Sequence, residues 1–281
     1  LGDEDHVAAA LAPFEILVVM RERTSFPGSL LRRLPKLRLL VTTGQRNLAI
    51  DMAAARECDV DVCGTTLLGY PAFEHTWALI LGLMKQIPLE NDAMHRGEWQ
   101  VSFADGLRGK TLGVLGLGKL GAEVAKIGLA FQMEVIAWSE NLTAARAQDC
   151  GVRQVSKNDL LSLSDVLTIH LVLSARTRGL IGTEELQLMK SSAYLVNTSR
   201  GPIVDETALI DALTRKSIRG AALDVYDTEP LPSDHPIRKL DNAVLTGHTG
   251  YVIRDNFVHG YGEVVEDVLA WLAGKPLRLL N

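Results

Sequence analysis

Arg200, Glu229 and His248 are of types that could act together on a small acid. Each lies in a segment that reads as the end of a strand: Asn197-Thr198-Ser199-Arg200-Gly201, Asp224-Val225-Tyr226-Asp227-Thr228-Glu229-Pro230 and Thr246-Gly247-His248-Thr249-Gly250. A guanidinium can hold a carboxylate through two parallel hydrogen bonds and polarise an adjacent carbonyl. A histidine can exchange a proton near neutral pH. A carboxylate bonded to that histidine favours its protonated form and fixes its orientation. Singly, an Arg-Gly turn, a Glu-Pro pair and a loop histidine are ordinary structural features. Together at successive strand ends they suit hydride transfer, in which a cofactor carries the hydride.

A fourth segment, Gly116-Leu117-Gly118-Lys119-Leu120-Gly121, reads GxGxxG. The hexapeptide alone is weak, but here a strand precedes it and a helix follows. Val124, Ile127, Gly128 and Phe131 then fall at i, i+3, i+4 and i+7, one face for packing on a sheet. Gly116 suits a tight turn, Gly118 the approach of a pyrophosphate, and Gly121 close packing of helix on strand. The helix N-terminus adds unpaired N–H groups and a positive dipole end. The ribose-reading residue should follow the next strand. Ser139 stands where an acidic residue is expected, with Glu140 beside it. Serine can bond a ribose hydroxyl but does not repel a 2′-phosphate, and no arginine follows immediately to attract one. The reading favours NAD, with NADP as the alternative.

Positioning these groups takes a parallel sheet. Strands are expected at 14–20, 37–42 and 60–63, with helices at 3–11, 27–34 and 50–57. Pro71 opens a long helix, its missing N–H costing nothing in the first turn, and residues 96–108 read as loop. From Gly109 the alternation is regular. Strands at 111–116, 133–138, 166–171, 193–198, 219–225 and 243–246 alternate with helices at 119–131, 157–163, 183–190 and 205–216, and 256–274 closes as a helix. Six such strands predict an α/β fold with a Rossmann-type doubly wound parallel sheet. Ligands bind outside the carboxyl ends of such strands, so the arginine, glutamate and histidine converge on one rim.

Composition excludes other classes. Hydrophobic residues make up 47% and charged residues 22%, unlike a disordered chain. Lys plus Arg is 29 against 34 Asp plus Glu, a net charge of −5 with no long basic run. That argues against nucleic acid or an anionic membrane as partner. No apolar run approaches the roughly 20 residues of a membrane helix, and no signal peptide is evident. Cys58, Cys63 and Cys150 fit no zinc pattern, so no metal site is expected and reduced thiols in a cytoplasmic protein are.

At this point the chain resembles the D-isomer-specific 2-hydroxyacid dehydrogenases. The match runs through Glu74-His75-Thr76, Arg96-Gly97-Glu98-Trp99, Leu107-Arg108-Gly109-Lys110-Thr111-Leu112-Gly113, Leu195 to Gly201 with Val204-Asp205, and Ala222-Leu223-Asp224-Val225 with Glu229-Pro230. The resemblance implies a nucleotide domain at about 70–251. It also implies a smaller, discontinuous, flavodoxin-like substrate domain at about 1–69 and 252–281, with the active site between the two. It gives Arg200 the substrate carboxylate and keto oxygen, His248 the proton and Glu229 the partner of His248. Asp224 would hold the nicotinamide carboxamide. Lys119 and Leu120 would sit at the pyrophosphate, and Thr198 and Ser199 would line the cofactor. The backbone at Thr43 and Gly44 would face the substrate carboxylate. Members are commonly homodimers, with the helix from Pro71 in the contact.

The implied activity is reversible hydride transfer between a nicotinamide cofactor and a small 2-hydroxy or 2-keto acid. The alternative is an NAD(H)-sensing binding protein of the same fold, since corepressors share it. Arg46, Tyr70, Trp77 and Tyr251 are candidates for setting specificity. The chain departs from the family at Ser139, at Gly247 before His248, and at Val172, where a proline is usual. It also lacks a first strand, helix and second strand before Asp3, which predicts a native chain longer by roughly 30–40 residues, given about 30 residues per βα unit.

Overall fold

The computed structural model describes residues 3–281. The chain forms two units, one from the stretch up to Leu68 with Val252–Asn281, the other from Gly69–Tyr251.

In the first unit, β1 (Ile16–Val19), β2 (Leu39–Thr42) and β3 (Asp61–Gly64) make a parallel sheet in that order. Leu39 pairs with Ile16 on one side and Asp61 on the other. Helices α1 (Glu4–Leu11), α2 (Gly28–Leu31) and α3 (Met52–Glu57) connect them. Asp51 caps α3 by accepting from Ala54 N at 3.0 Å. The strand side chains alternate between two covered faces. Leu40 and Val62 pack with Leu30 and Leu31, whereas Leu39 and Val41 pack with Val264 and Trp271 of the last helix, Arg254–Leu272. Burial on both faces explains why β2 is an unbroken apolar run. Cys63 lies in this core; burial, with the charges of Asp267 and Asp61, pushes its thiol up to about 11, which makes it inert.

The second unit begins with α4 (Tyr70–Met84) and α5 (Ile87–His95). Then come β4 (Thr111–Leu115), α6 (Lys119–Ala130), β5 (Glu134–Trp138), α7 (Ala144–Asp149), β6 (Arg153–Gln154), α8 (Lys157–Leu163) and β7 (Val166–Ile169). The unit closes with α9 (Thr183–Leu188), β8 (Tyr194–Asn197), α10 (Glu206–Thr214), β9 (Gly220–Leu223) and β10 (Ala243–Leu245). The seven strands are all parallel, in the order β10-β9-β8-β7-β4-β5-β6. This is the doubly wound arrangement, and the order reverses between β4 and β7.

The sheet has one strand more than the six expected. The extra one, β6, is two exposed polar residues paired with Ile136 and Ala137. It buries no side chain, so it has no apolar signature. On one face of β4, Leu112 and Val114 join Trp77 of α4 and Val124 of α6. On the other, Leu115 joins Leu160 of α8 and Ile169 of β7. Among the described residues no helix is long and apolar enough to cross a membrane.

Ile136 is fully buried in β5. Ile136→Ala should cost about 2–5 kcal/mol of stability, read as a lower urea midpoint with an unchanged slope. A change below about 1 kcal/mol would mean that the sheet core relaxes around the cavity.

Candidate active site

The glycine segment follows β4 directly. Gly116 has φ +105, and a Cβ there would lie 2.7 Å from the carbonyl oxygen of His170, just past β7. A Cβ on Gly121 would lie 2.0 Å from the Gly116 carbonyl oxygen, so α6 sits hard against the turn. Gly118 differs: a Cβ there meets nothing within 4 Å. Its face is an open cradle ahead of the α6 N-terminus, and these residues fit a pyrophosphate. Lys119 and Leu120 are exposed in the first turn of that helix. Ser139 follows β5, and Leu142 N donates to its carbonyl oxygen at 3.0 Å, so the chain turns directly after the strand.

At the end of β8, side chains lock the backbone. Asn197 Nδ2 donates to Arg200 O at 3.0 Å, and Asn197 Oδ1 accepts from Ser199 N at 3.0 Å. The Ser199 hydroxyl donates to Ile169 O at 2.7 Å, tying this end to that of β7. Thr198 Oγ1 lies 2.8 Å from Thr76 Oγ1 on α4. Arg200 Nη1 donates to Ser199 O at 2.7 Å.

Glu229 and His248 meet. His248 Nδ1 lies 2.5 Å from Glu229 Oε2, while Glu229 Oε1 accepts from Tyr226 N at 3.0 Å. An ionised carboxylate only accepts, so Nδ1 carries the proton and Nε2 is left for another partner. Partial burial alone would raise the Glu229 carboxyl. The hydrogen bonds from His248 and Tyr226 N, with the charges of His248 and Arg200, outweigh it and hold the carboxyl below its usual range. Arg200, Glu229 and His248 thus share one electrostatic neighbourhood within the second unit.

Asp224 is buried and holds the loop that carries His248. It accepts from Thr246 Oγ1, Thr249 N and Gly250 N. Burial opposes its charge. Hydrogen bonds from His75, Thr246, Thr249 and Gly250 prevail and set its carboxyl at about 2. Tyr226 adds a clasp, its one hydroxyl proton shared between Thr246 O at 2.8 Å and Leu223 O at 3.2 Å.

Thr43 and Gly44 belong to the first unit. Thr43 N donates to Val19 O at 3.0 Å, and Gly44 N to Thr65 Oγ1 at 3.2 Å. Among the described residues, the N–H groups of Gln45 and Arg46 in that turn have no hydrogen-bond partner. Trp77, a candidate for specificity, is instead a core residue: it is 4% exposed and its Nε1 donates to Val124 O at 3.2 Å. Sequence reasoning did not assign His75, Thr246 or Tyr226 a role. Each lies in a segment already singled out, Glu74-His75-Thr76, Thr246 to Gly250 and Asp224 to Pro230, but nothing in the sequence marked these side chains within it.

Comparisons with known proteins agree on the family. The model of the D-isomer specific 2-hydroxyacid dehydrogenase NAD binding domain matches residues 77–250. A glyoxylate reductase of Aeropyrum pernix is 38% identical over 263 residues, covering 90% of this chain and 78% of that protein. A D-3-phosphoglycerate dehydrogenase of Archaeoglobus fulgidus is 35% identical, covering 93% of this chain and 50% of that protein. The chain thus spans about half the length of the phosphoglycerate dehydrogenase it matches. A phosphoglycerate oxidoreductase from Vibrio cholerae superposes with a TM-score of 0.89 at 33% identity, over 96% of this chain and 89% of that one. A D-lactate dehydrogenase from Aquifex aeolicus, complexed with NAD and lactic acid, gives 0.80 at 29%, over 95% and 85%.

Two expectations follow. Gly118→Ala should fold normally yet weaken dinucleotide binding, whereas Gly121→Ala should lower the melting temperature; calorimetric titration and thermal unfolding separate them, and full binding by Gly118→Ala would place the phosphates elsewhere. The second concerns acid. Asp224 has its folded pKa depressed from 3.8 to about 2, so its stabilisation is present above the unfolded value and fades as pH falls through the folded one. That is about 2 kcal/mol. Urea midpoints should therefore fall between about pH 4 and pH 2 in the wild type and less steeply in Asp224→Asn.

Proposed function

We propose that this chain, which belongs to the D-isomer-specific 2-hydroxyacid dehydrogenase family, reversibly reduces small 2-keto acids to D-2-hydroxy acids. The observation that carries the reading is the His248–Glu229 pair, with no hydrogen-bond partner for Nε2 of His248 among the described residues, beside the end of a dinucleotide-binding sheet.

When bound, the nicotinamide dinucleotide supplies or accepts the hydride. Arg200 grips the substrate carboxylate with its planar fork and draws charge toward the keto oxygen. His248 gives its Nε2 proton to that oxygen in reduction and takes it back in oxidation. Glu229 keeps the imidazole oriented and supplies the counter-charge for its protonated form. Thr198 and Ser199 line the cofactor, with Asp224 at the nicotinamide end and Ser139 at the ribose. NAD is the assigned cofactor, with NADP as the alternative that the missing acidic residue at 139 leaves open. In the first unit, the turn from Thr43 to Arg46 is assigned to the substrate carboxylate through its backbone N–H groups.

The reading includes a homodimer and a cytoplasmic location. Support for the first is a run of exposed apolar side chains just after α4: Ile87, Leu89, Met94, Trp99, Val101 and Phe103, the last 96% exposed. Support for the second is that all three cysteines are free thiols.

Loss of NADH or NADPH absorbance with a panel of 2-keto acids tests the activity. His248→Ala should lower turnover by about 10²–10⁴, the usual share of general acid–base catalysis. Arg200→Lys should weaken substrate binding because lysine lacks the fork. Dinucleotide binding with no turnover on any keto acid would point instead to a sensor.

A further inference from the structure

We infer that His75 is a positioning residue for His248, acting through Asp224 and Thr246. The inference rests on the dehydrogenase reading for what His248 does; the brace itself is geometry.

His248 needs holding. Its φ is +56, a left-handed conformation that a histidine rarely adopts. Asp224, 1% exposed, holds the loop at four points. Its Oδ1 accepts from Thr246 Oγ1 at 2.6 Å and from Thr249 N at 2.8 Å. Its Oδ2 accepts from Gly250 N at 2.9 Å, and its backbone carbonyl from His248 N at 2.7 Å. Asp224 can hold His248 only while it is itself fixed.

The fixing contact comes from α4. His75 Nε2 lies 3.2 Å from Asp224 Oδ1 and 3.1 Å from Thr246 Oγ1. The single hydroxyl proton of Thr246 is committed to Asp224 Oδ1, and the carboxylate has no proton to give. Both atoms facing Nε2 are therefore acceptors, so Nε2 must carry a proton and donate to the pair. The ring also packs on the end of the loop. A Cβ on Gly250 would lie 3.4 Å from His75 Cδ2 and 3.0 Å from Asp224 Oδ2. His75 thus closes a triangle of Nε2, Oδ1 and Oγ1 that fixes both the start of the loop, at Thr246, and the carboxylate that holds its end. A buried network of this kind is rigid when each member is satisfied and loosens when one is removed.

The test compares His75→Ala and His75→Gln in the full chain, since a glutamine amide can offer an N–H near the place of Nε2. His75→Ala should lower kcat about tenfold or more while KM for the keto acid stays within about threefold, the pattern of a lost transition-state contact. His75→Gln should recover most of kcat. The second readout needs no turnover: the ¹H–¹⁵N signal of the His248 Nδ1–H bonded to Glu229, expected sharp in the wild type and in His75→Gln, and broadened or lost in His75→Ala.

If His75→Ala does not fold, Thr246→Val removes the Oγ1 corner of the triangle, and with it one of the two acceptors that face Nε2, and should give the same signature. Wild-type kcat and an unaltered His248 signal in His75→Ala, or in Thr246→Val, would overturn the inference. So would a fall in kcat that only tracks loss of folded protein while the signal persists. If the wild type reduces no keto acid, the dehydrogenase reading fails, and the His248 signal still decides the brace.

Discussion

A carboxylate buried to 1% exposure governs the rim of the second unit that carries His248. Removing the Asp224 charge from water is unfavourable, and it is tolerated only because hydrogen-bond donors surround it. Those donors are the parts of the loop that must be immobile for His248 to keep one position. Satisfying the anion and ordering the loop are thus one requirement. The Tyr226 hydroxyl reinforces it by bonding Thr246 O and Leu223 O, which joins the exits of β10 and β9.

The remaining chemistry follows from where strands end. The strand order reverses between β4 and β7. There Gly116 turns beneath the His170 carbonyl, and the Ser199 hydroxyl reaches Ile169 O. The glycine turn and the arginine turn are therefore both tied to the end of β7, the strand that lies between β4 and β8. One strand further out, the exit of β9 carries both Asp224 and Glu229, which face the His248 loop from two sides. A guanidinium, a carboxylate–imidazole pair and a glycine turn thus follow strands of one sheet without being close in sequence.

Much of this was legible in the chain. The glycine segment has a steric demand at each position, and the apolar strands of a parallel sheet announce themselves because both faces are covered. Arg200, Glu229 and His248 could be grouped because each follows a strand. What stayed hidden depends on long-range hydrogen bonds. Strand β6 buries nothing, so no pattern marks it. His75 sits on a helix 149 residues before Asp224, and only the fold makes them neighbours. In the Thr42-Thr43-Gly44 turn, the family resemblance implied a carboxylate site but could not show that Val19 O and Thr65 Oγ1 already use two of the N–H groups. Trp77 illustrates the converse, an aromatic side chain that proved to be core.

In the proposed reaction, His248, Glu229 and Arg200 serve D-specific reduction of a 2-keto acid. The most direct measurement is chiral chromatography of the product formed from a keto acid of three or more carbons with a reduced nicotinamide cofactor. The D-hydroxy acid is expected, formed in step with cofactor oxidation. An L-hydroxy acid, a racemate, or cofactor oxidation without any hydroxy acid would contradict it.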